Sequence, residues 1–213
     1  MPEQAVTFPS GDLRLEGYLS RPEAGAAPGG VVVCHPHPSY GGEMSNPVVT
    51  TICHAVAAAG LATLRFNFRG TRCSTGTHSG GRLEPDDVRA AIAFLMETTG
   101  LSSGRIGVAG YSFGAMMALI AAATDERVAA LATVSPVFRM FPVENLGGLS
   151  KPLLIVSGEE DSYVPTRDLR DLADRAPNTI ELHIIPDEDH FWWNALADVG
   201  RLTGDFFRRY LGT

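Results

Sequence analysis

Short apolar segments alternate with longer amphipathic segments along this chain. Residues 4–8 and 13–19 are predicted strands, because the turn residues Pro9-Ser10-Gly11-Asp12 separate them. The segment Val31-Val32-Val33-Cys34 is apolar at every position, which is typical of a parallel strand that is buried on both faces. Further apolar segments predict five more strands, at residues 61–66, 106–109, 128–134, 153–157 and 180–185.

The segments between these strands carry apolar residues at helical spacing. Asn46 and Pro47 are typical of a helix start, since asparagine caps the first turn and proline fits its first position, and Gly60 marks the end of that helix. Positions i, i+3, i+4 and i+7 predict a second helix through Val88, Ala91, Ile92 and Leu95. Further helices are predicted at residues 113–123, 166–176 and 194–210. The residues of the last helix that are predicted to face inward are Leu196, Val199, Phe206 and Tyr210.

This alternation predicts an α/β fold with a mostly parallel sheet of eight strands and with helices on both faces. The stretch 21–30 is rich in glycine, proline and alanine, and we interpret it as a loop, because the two strands before it cannot form a domain alone. Residues 1–213 are therefore predicted to form a single domain. In such sheets ligands bind at the carboxyl ends of the strands, so functional residues are expected there.

Gly110-Tyr111-Ser112-Phe113-Gly114 lies between a predicted strand and a predicted helix, and it matches the G-x-S-x-G pattern of a nucleophile elbow. The glycines two residues before and two residues after the serine allow a sharp, strained turn that places the hydroxyl at the edge of the sheet. The helix N-terminus behind it adds positive potential where an oxyanion would form. Ser112 is therefore the candidate nucleophile. The alternative is a serine that only caps its own helix.

A serine nucleophile needs a base, and the base needs an orienting acid. Asp161 follows a predicted strand and is favoured over Glu159 and Glu160, because the sequence after Asp161 leads directly into a helix. His190 follows the last predicted strand, whereas His183 lies inside that strand and is interpreted as a packed or edge residue. The order serine, acid, histidine is that of the α/β-hydrolases.

In α/β-hydrolases the loop at the position of the one after the Val31 strand provides one of the two oxyanion donors, and the turn after the nucleophile provides the other. Prolines have no N–H, so only His37 can donate from the backbone among residues 36–38. The amides of His37 and Phe113 are therefore the predicted oxyanion hole. His35 and His37 could instead ligate zinc, but no cysteine or carboxylate cluster accompanies them, so no metal is predicted. Tyr40 is a candidate wall of the substrate pocket.

Composition excludes several functional classes. The 17 basic and 24 acidic residues give a formal net charge of −7, and no basic stripe is present, so neither nucleic acid nor a membrane is an expected partner. No apolar stretch is long enough for a membrane span, and Met1-Pro2-Glu3-Gln4 lacks the features of a signal peptide. The three unpatterned cysteines are typical of a reducing compartment, which predicts a cytoplasmic location.

Five motifs occur in order along the chain. They are His35-Pro36-His37-Pro38 with Gly41-Gly42, Arg65-Phe66-Asn67-Phe68-Arg69-Gly70, the elbow at residues 110–114, Gly158 with Asp161, and Asp189-His190-Phe191. With these motifs the sequence resembles the small, cap-less bacterial α/β-hydrolases of the serine esterase type. The resemblance implies a triad of Ser112, Asp161 and His190 that hydrolyses esters without a cofactor. In one departure, relatives usually continue Arg-Gly-Val-Gly, whereas here Thr71 and Arg72 follow Gly70.

The expected activity is hydrolysis of small carboxylic esters through an acyl-enzyme intermediate, by a monomer or homodimer. A peptidase or a thioesterase would share the triad, and a hydrolase fold kept only for binding is a further alternative. The 18 residues from Ser135 to Pro152 lie where many relatives insert a lid, and they are too few to build one. A fold without a lid domain is therefore predicted, with a site open to solvent. The aromatic residues considered for an acyl pocket, or for the core, are Tyr40, Phe138, Phe141 and Trp192.

Overall fold

The computed structural model describes residues 2–22, 27–122, 125–138, 149–175 and 180–212. Within these ranges strands and helices alternate as the sequence pattern predicts. The strands are β1 (Glu3–Ser10), β2 (Leu13–Ser20), β3 (Gly30–Cys34), β4 (Ala62–Phe66), β5 (Ile106–Tyr111), β6 (Val128–Val134), β7 (Leu153–Gly158) and β8 (Ile180–Ile185). The helices are α1 (Pro47–Ala58), α2 (Glu84–Thr99), α3 (Phe113–Ala122), α4 (Thr166–Arg175) and α5 (Leu196–Leu211).

These eight strands form one sheet in the order β1-β2-β4-β3-β5-β6-β7-β8. The pairs β1–β2 and β2–β4 are antiparallel, and all the other neighbours are parallel. The carboxyl ends of β3 to β8 therefore meet at one edge of the sheet. At that edge β5 has β3 on one side and β6, β7 and β8 on the other. The predicted α/β-hydrolase fold with a mostly parallel eight-stranded sheet is confirmed.

Helices cover both faces of the sheet and enclose two apolar cores. Helices α2, α3 and α4 pack on one face, and α1 and α5 pack on the other. Because side chains alternate along a strand, Val32 and Cys34 of β3 face the first core, whereas Val31 and Val33 face the second. All four are fully buried, which explains why this strand is apolar at every position.

The helix starts follow local sequence signals in part. The side chain of Asn46 accepts a hydrogen bond from the Val48 amide at 2.9 Å and so caps α1 as predicted. Helix α5 begins at Leu196, two residues later than predicted. The predicted ends of two other helices, Ala123 and Ala176, lie outside the described residues.

One predicted core position of α5 was wrong. Val199 and Phe206 are buried and Leu196 is partly buried, but the side chain of Tyr210 is 39% exposed. Leu211 is fully buried instead, because the helix turns this position toward the sheet and Tyr210 toward solvent. Among the described helices, none combines the length and the apolar character that a membrane crossing requires. The single-domain organisation and the cytoplasmic location stay predictions.

Candidate functional site

The turn between β5 and α3 holds Ser112 in a strained conformation. Its φ is +54°, in the left-handed region that side-chain-bearing residues rarely adopt. A Cβ on Gly110 would overlap the backbone of Gly114, and a Cβ on Gly114 would lie 2.5 Å from the carbonyl oxygen of His35. Only glycine therefore allows the turn to close this tightly. The turn places the Ser112 side chain at the carboxyl edge of the sheet, as the elbow motif predicts.

The three predicted catalytic side chains lie together at this edge. The Oγ of Ser112 is 3.0 Å from Nε2 of His190, and Nδ1 of His190 is 2.8 Å from Oδ2 of Asp161. His190 and Asp161 are both buried, with 8% and 4% of their surfaces exposed. A buried carboxylate that accepts from Nδ1 favours the tautomer in which Nε2 is free to accept the serine proton. The arrangement is that of a nucleophile, its base and an orienting acid.

Asp161 is fixed by the backbone of its own loop after β7. Its Oδ1 accepts hydrogen bonds from the amides of Tyr163, at 2.9 Å, and Val164, at 3.2 Å. Its other oxygen is thereby left to His190. The loop can pack against the loop after β8 because Gly158 lies so near the carbonyl of Glu188 that a Cβ would overlap it. The competing acids Glu159 and Glu160 are exposed and so are not part of this arrangement.

The loop that carries His190 has its own supports, which the sequence did not reveal. The hydroxyl of Tyr111 donates to the backbone oxygen of His190 at 2.7 Å. Burial is the main cause that raises the pKa of Tyr111, and the negative charges of Asp161 and Asp189 raise it further. The phenol therefore stays protonated and can donate. Two residues after His190, the indole N–H of Trp192 donates to Oγ of Ser135 at 3.1 Å.

The loop after β3 forms the other side of the site. The amides of Tyr40 and Gly42 both donate to the carbonyl oxygen of His37, at 3.1 Å each, so the chain folds back tightly. Gly41 has a φ of +78°, and a Cβ on Gly42 would overlap the Pro36 carbonyl. His37 and Phe113 both line the cavity above Ser112. Phe113 is the first residue of α3, so its amide is one that a helix start leaves without an intrahelical partner.

His35 has a structural role that explains its place in the motif. Its Nδ1 donates to the Pro36 carbonyl at 2.6 Å, and its Nε2 accepts from the Phe68 amide at 3.1 Å. Burial lowers the pKa of His35 to about 4, so the ring is neutral at pH 7. Both ring nitrogens are engaged, and the ring ties the loop after β3 to the loop after β4. His35 therefore does not offer a metal ligand, and the described residues contain no cluster of three or more His, Cys, Asp or Glu that could hold one.

In the loop after β4 an arginine adopts a backbone conformation that usually requires glycine. Arg72 has a φ of +52°, in the left-handed region, at the position where the sequence departs from the Arg-Gly-Val-Gly run. Its guanidinium makes two hydrogen bonds with the carboxylate of Glu43, at 2.9 and 3.1 Å. The arginine therefore links this loop to the loop after β3, although its own side chain is largely exposed.

A cavity of about 470 Å³ opens above Ser112. Tyr40 lies on its wall, whereas Phe138 packs against the core and Trp192 is 1% exposed, so neither lines the cavity. Phe141 lies outside the described residues. Among the residues that the structure describes, the lining contains no Asp, Glu, Lys or Arg. It is formed by Pro36, His37, Tyr40, Gly41, Gly42, Asn46, Tyr111, Ser112, Phe113, Val137, Tyr163, His190 and Phe191.

Two aromatic residues that line the cavity are not among the residues predicted from the sequence. Tyr163 lies two residues after Asp161, and Phe191 directly follows His190. Their position beside the predicted acid and base was the signal that could have identified them, because the loops that deliver those groups also border the cavity. The wall of the cavity is therefore more aromatic on the His190 side than we predicted.

Fold and site together define an α/β serine hydrolase. A serine hydrolase homologue from Coxiella burnetii has a similar structure, with 31% identity, a TM-score of 0.84 and coverage of 96% of both chains. A serine hydrolase without a lid from Xanthomonas campestris is 28% identical, with a TM-score of 0.86 and coverage of 100% of this chain and 98% of that one. These similarities confirm the predicted small, lidless bacterial hydrolase type.

The sequence also matches a family model over residues 11–176, and the model describes the S15 family of X-Pro dipeptidyl-peptidases. The chain belongs to this S15 family. A relative from Rickettsia prowazekii, an uncharacterized protein, is 29% identical and aligns over 97% of this chain and 88% of its own length. An esterase from Pyrococcus furiosus, 20% identical with a TM-score of 0.84 over 99% of this chain and 94% of its own, shares the fold.

Proposed function

We propose that the protein hydrolyses small, neutral carboxylic esters through an acyl-enzyme intermediate on Ser112. The observation that carries the proposal is the continuous hydrogen-bonded series from Ser112 through His190 to Asp161, with distances of 3.0 and 2.8 Å. In the first step Oγ of Ser112 attacks the ester carbonyl carbon while Nε2 of His190 takes its proton. His190 then gives this proton to the alcohol oxygen, the carbon–oxygen bond to the alcohol breaks, and the acyl group stays on Ser112.

Water completes the cycle by the same route. His190 takes a proton from the water, whose oxygen attacks the acyl carbon, and returns the proton to Oγ of Ser112 as the carboxylic acid leaves. Asp161 holds the imidazole in the required tautomer and stabilises its charged form in both halves of the reaction. The carboxylate does not itself take up the proton.

The backbone amides of His37 and Phe113 are the proposed oxyanion hole. Phe113 begins a helix, so its amide adds to the positive potential at the helix N-terminus. The His37 amide lies on a loop that backbone hydrogen bonds hold in a fixed shape. Burial and the nearby His78 lower the pKa of the His37 side chain, which favours the neutral ring beside the site. Each donor of this kind contributes roughly 10²–10³-fold to turnover.

Neutral substrates are favoured because none of the described residues that line the cavity is Asp, Glu, Lys or Arg. A charged substrate group that entered the cavity would lose its hydration without gaining a partner of opposite charge from these described residues. An ester is hydrolysed more easily than an amide, because an alcohol is a better leaving group than an amine. The fold brings no lid to enclose a long chain, which favours small substrates.

Replacement of the nucleophile tests the proposal. Ser112→Ala is expected to abolish hydrolysis of p-nitrophenyl acetate while its circular dichroism and thermal transition match those of the wild type. Ser102→Ala is the matched control, because Ser102 is exposed and lies before β5, away from the carboxyl edge of the sheet. Turnover that persists in purified Ser112→Ala would overturn the proposal.

The family match supports a peptidase as the second candidate. An enzyme that removes N-terminal dipeptides has to hold a free ammonium group, which a carboxylate near the nucleophile would do, and the described lining offers none. We therefore place ester hydrolysis first. Parallel assays with p-nitrophenyl acetate and Gly-Pro-p-nitroanilide separate the two. A specificity constant for the anilide that equals or exceeds that for the ester would reverse the order.

A further inference from the structure

Exposed aromatic side chains are concentrated at the mouth of the cavity. In the described part of the chain six large apolar side chains are exposed, and four of these lie at the cavity or beside it: Tyr40, Tyr163, Phe191 and Trp193. Phe191 and Trp193 are 55% and 76% exposed, and their ring centroids are 6.5 Å apart. Apolar surface that is left in contact with water in one place is characteristic of a ligand-binding surface.

The aromatic rings lie on two sides of the nucleophile. Tyr40 follows β3, which borders β5 on one side, whereas Tyr163 and Phe191 follow β7 and β8, which lie beyond β6 on the other side. All three rings line the same cavity, so they form walls around Ser112 rather than a flat patch. A concave site of this size fits a small molecule better than a membrane surface does.

The position of His190 decides which part of an ester meets which wall. The alcohol oxygen has to lie within hydrogen-bond reach of Nε2 of His190, because it receives its proton from that atom. Three cavity-lining rings lie beside the His190 ring: Tyr163, Tyr111 and Phe191, with centroids 4.7, 5.7 and 5.8 Å from it. Tyr111 is buried, so the two exposed rings on this side are Tyr163 and Phe191. The alcohol therefore leaves along these rings, and Tyr40 lies on the opposite side of Ser112.

We infer that the wall formed by Tyr163 and Phe191, with Trp193 beside it, selects neutral esters of aromatic alcohols, such as benzyl esters. This inference rests on the proposed esterase function and names its substrate class. Aromatic rings attract each other in offset-stacked or edge-to-face arrangements, and the gain exceeds that of burying apolar area alone. The reaction is the one already given: the carbon–oxygen bond to the alcohol breaks, and the aromatic alcohol departs with the proton from His190.

The test compares two alcohols of similar size and acidity, only one of which is aromatic. We expect the specificity constant for benzyl acetate to exceed that for cyclohexylmethyl acetate by about 3- to 10-fold in the wild type. Phe191→Leu and Tyr163→Leu each remove a ring and are expected to reduce this ratio toward one. Phe191→Tyr keeps a ring and is expected to keep the preference. Tyr210→Leu removes an exposed ring on α5 and is the matched control, with an unchanged ratio.

The outcomes separate this inference from the proposed function. If the wild type hydrolyses both esters with equal specificity constants and Ser112→Ala hydrolyses neither, the inference fails and the esterase function stands. If the wild type has no Ser112-dependent activity on either ester, both fail. If phosphatidylcholine vesicles bind the wild type but not Phe191→Leu, while the benzyl preference is the same in both proteins, the rings form a lipid-binding surface and the inference is overturned.

Discussion

The carboxylate of Asp161 divides its two oxygens between the backbone and His190. Oδ1 accepts from the amides of Tyr163 and Val164, whereas Oδ2 lies 2.8 Å from Nδ1 of His190. In Asp161→Asn the amide oxygen keeps the two backbone donors, so the NH₂ group turns toward His190. The imidazole then has to accept at Nδ1 and carries its proton on Nε2, where it cannot act as a base toward Ser112.

We therefore expect Asp161→Asn to lower kcat for p-nitrophenyl acetate by roughly 10³–10⁴-fold with little loss of stability. Steady-state kinetics together with urea unfolding checks both parts. Glu160→Gln is the matched control, because it neutralises an exposed carboxylate of the same loop and is expected to keep wild-type kinetics. Comparable activity in the two variants would remove Asp161 from the mechanism.

The close approach of Gly114 to the loop after β3 predicts a steric effect. A Cβ at this position would lie against the carbonyls of Cys34 and His35, which are backbone atoms that cannot move independently. We expect Gly114→Ala to lower the free energy of unfolding by about 2–3 kcal/mol. Gly60→Ala is the comparison, because a Cβ there meets nothing within 4 Å and only the φ of +80° opposes it, at about 1 kcal/mol. Equal losses in the free energy of unfolding, measured in urea, would show that the elbow can accommodate a Cβ at residue 114 without a clash.

The buried imidazole of His35 predicts a dependence of stability on pH. Its pKa is about 4 in the folded protein and about 6.5 in the unfolded chain, so the unfolded chain binds the proton more readily. The contribution of the neutral ring is complete above pH 6.5 and is lost as the pH falls toward 4. This amounts to about 2 kcal/mol between pH 7.5 and pH 5.

His35→Gln isolates this effect, because glutamine can accept the Phe68 amide hydrogen bond and does not titrate. Urea unfolding of both proteins at pH 7.5 and pH 5 gives the comparison. The variant is expected to be less stable at pH 7.5 but to lose about 2 kcal/mol less than the wild type on acidification. If both proteins lose the same free energy, His35 does not contribute to acid sensitivity.

The left-handed conformation of Arg72 predicts an order of stability among three proteins. Arg72→Ala loses the contacts with Glu43 and keeps the unfavourable φ, so we expect a lower Tm than that of the wild type. Arg72→Gly loses the same contacts but fits the conformation, and because an exposed ion pair contributes little, its Tm is expected to match the wild type. Thermal unfolding by circular dichroism checks the order. A Tm for Arg72→Gly below that of Arg72→Ala would mean that backbone strain is unimportant here.

Much of the fold follows from local sequence patterns. A strand such as β3 is apolar at every position because helices cover both of its faces, and the alternation of strands and helices then restricts the sheet to parallel crossovers. The positions of Ser112, Asp161 and His190 follow equally directly, since each lies just after a strand at the carboxyl edge. Chain order and strand ends were sufficient to bring these three residues together.

The cavity wall and the support of His190 depend on the directions in which loop side chains point. A loop sequence has no periodicity that indicates these directions. In Phe191-Trp192-Trp193 the middle residue has a φ of +61° and turns inward to Ser135, so its neighbours turn outward. The sequence makes Trp192 a candidate for the pocket wall, but Phe191 is the residue that lines the cavity. The Tyr111 hydroxyl that supports His190 joins residues 79 positions apart, and no local pattern encodes that contact.

The central claim is that Ser112 is an activated nucleophile, and a fluorophosphonate probe tests it most directly. Oγ of Ser112 is expected to displace fluoride from phosphorus and to form a stable phosphonate ester. Mass spectrometry of the digested wild type is expected to find one label, on the peptide that contains Ser112, and none in Ser112→Ala or His190→Gln. An unlabelled wild-type protein, or a label on any other residue, would contradict the account.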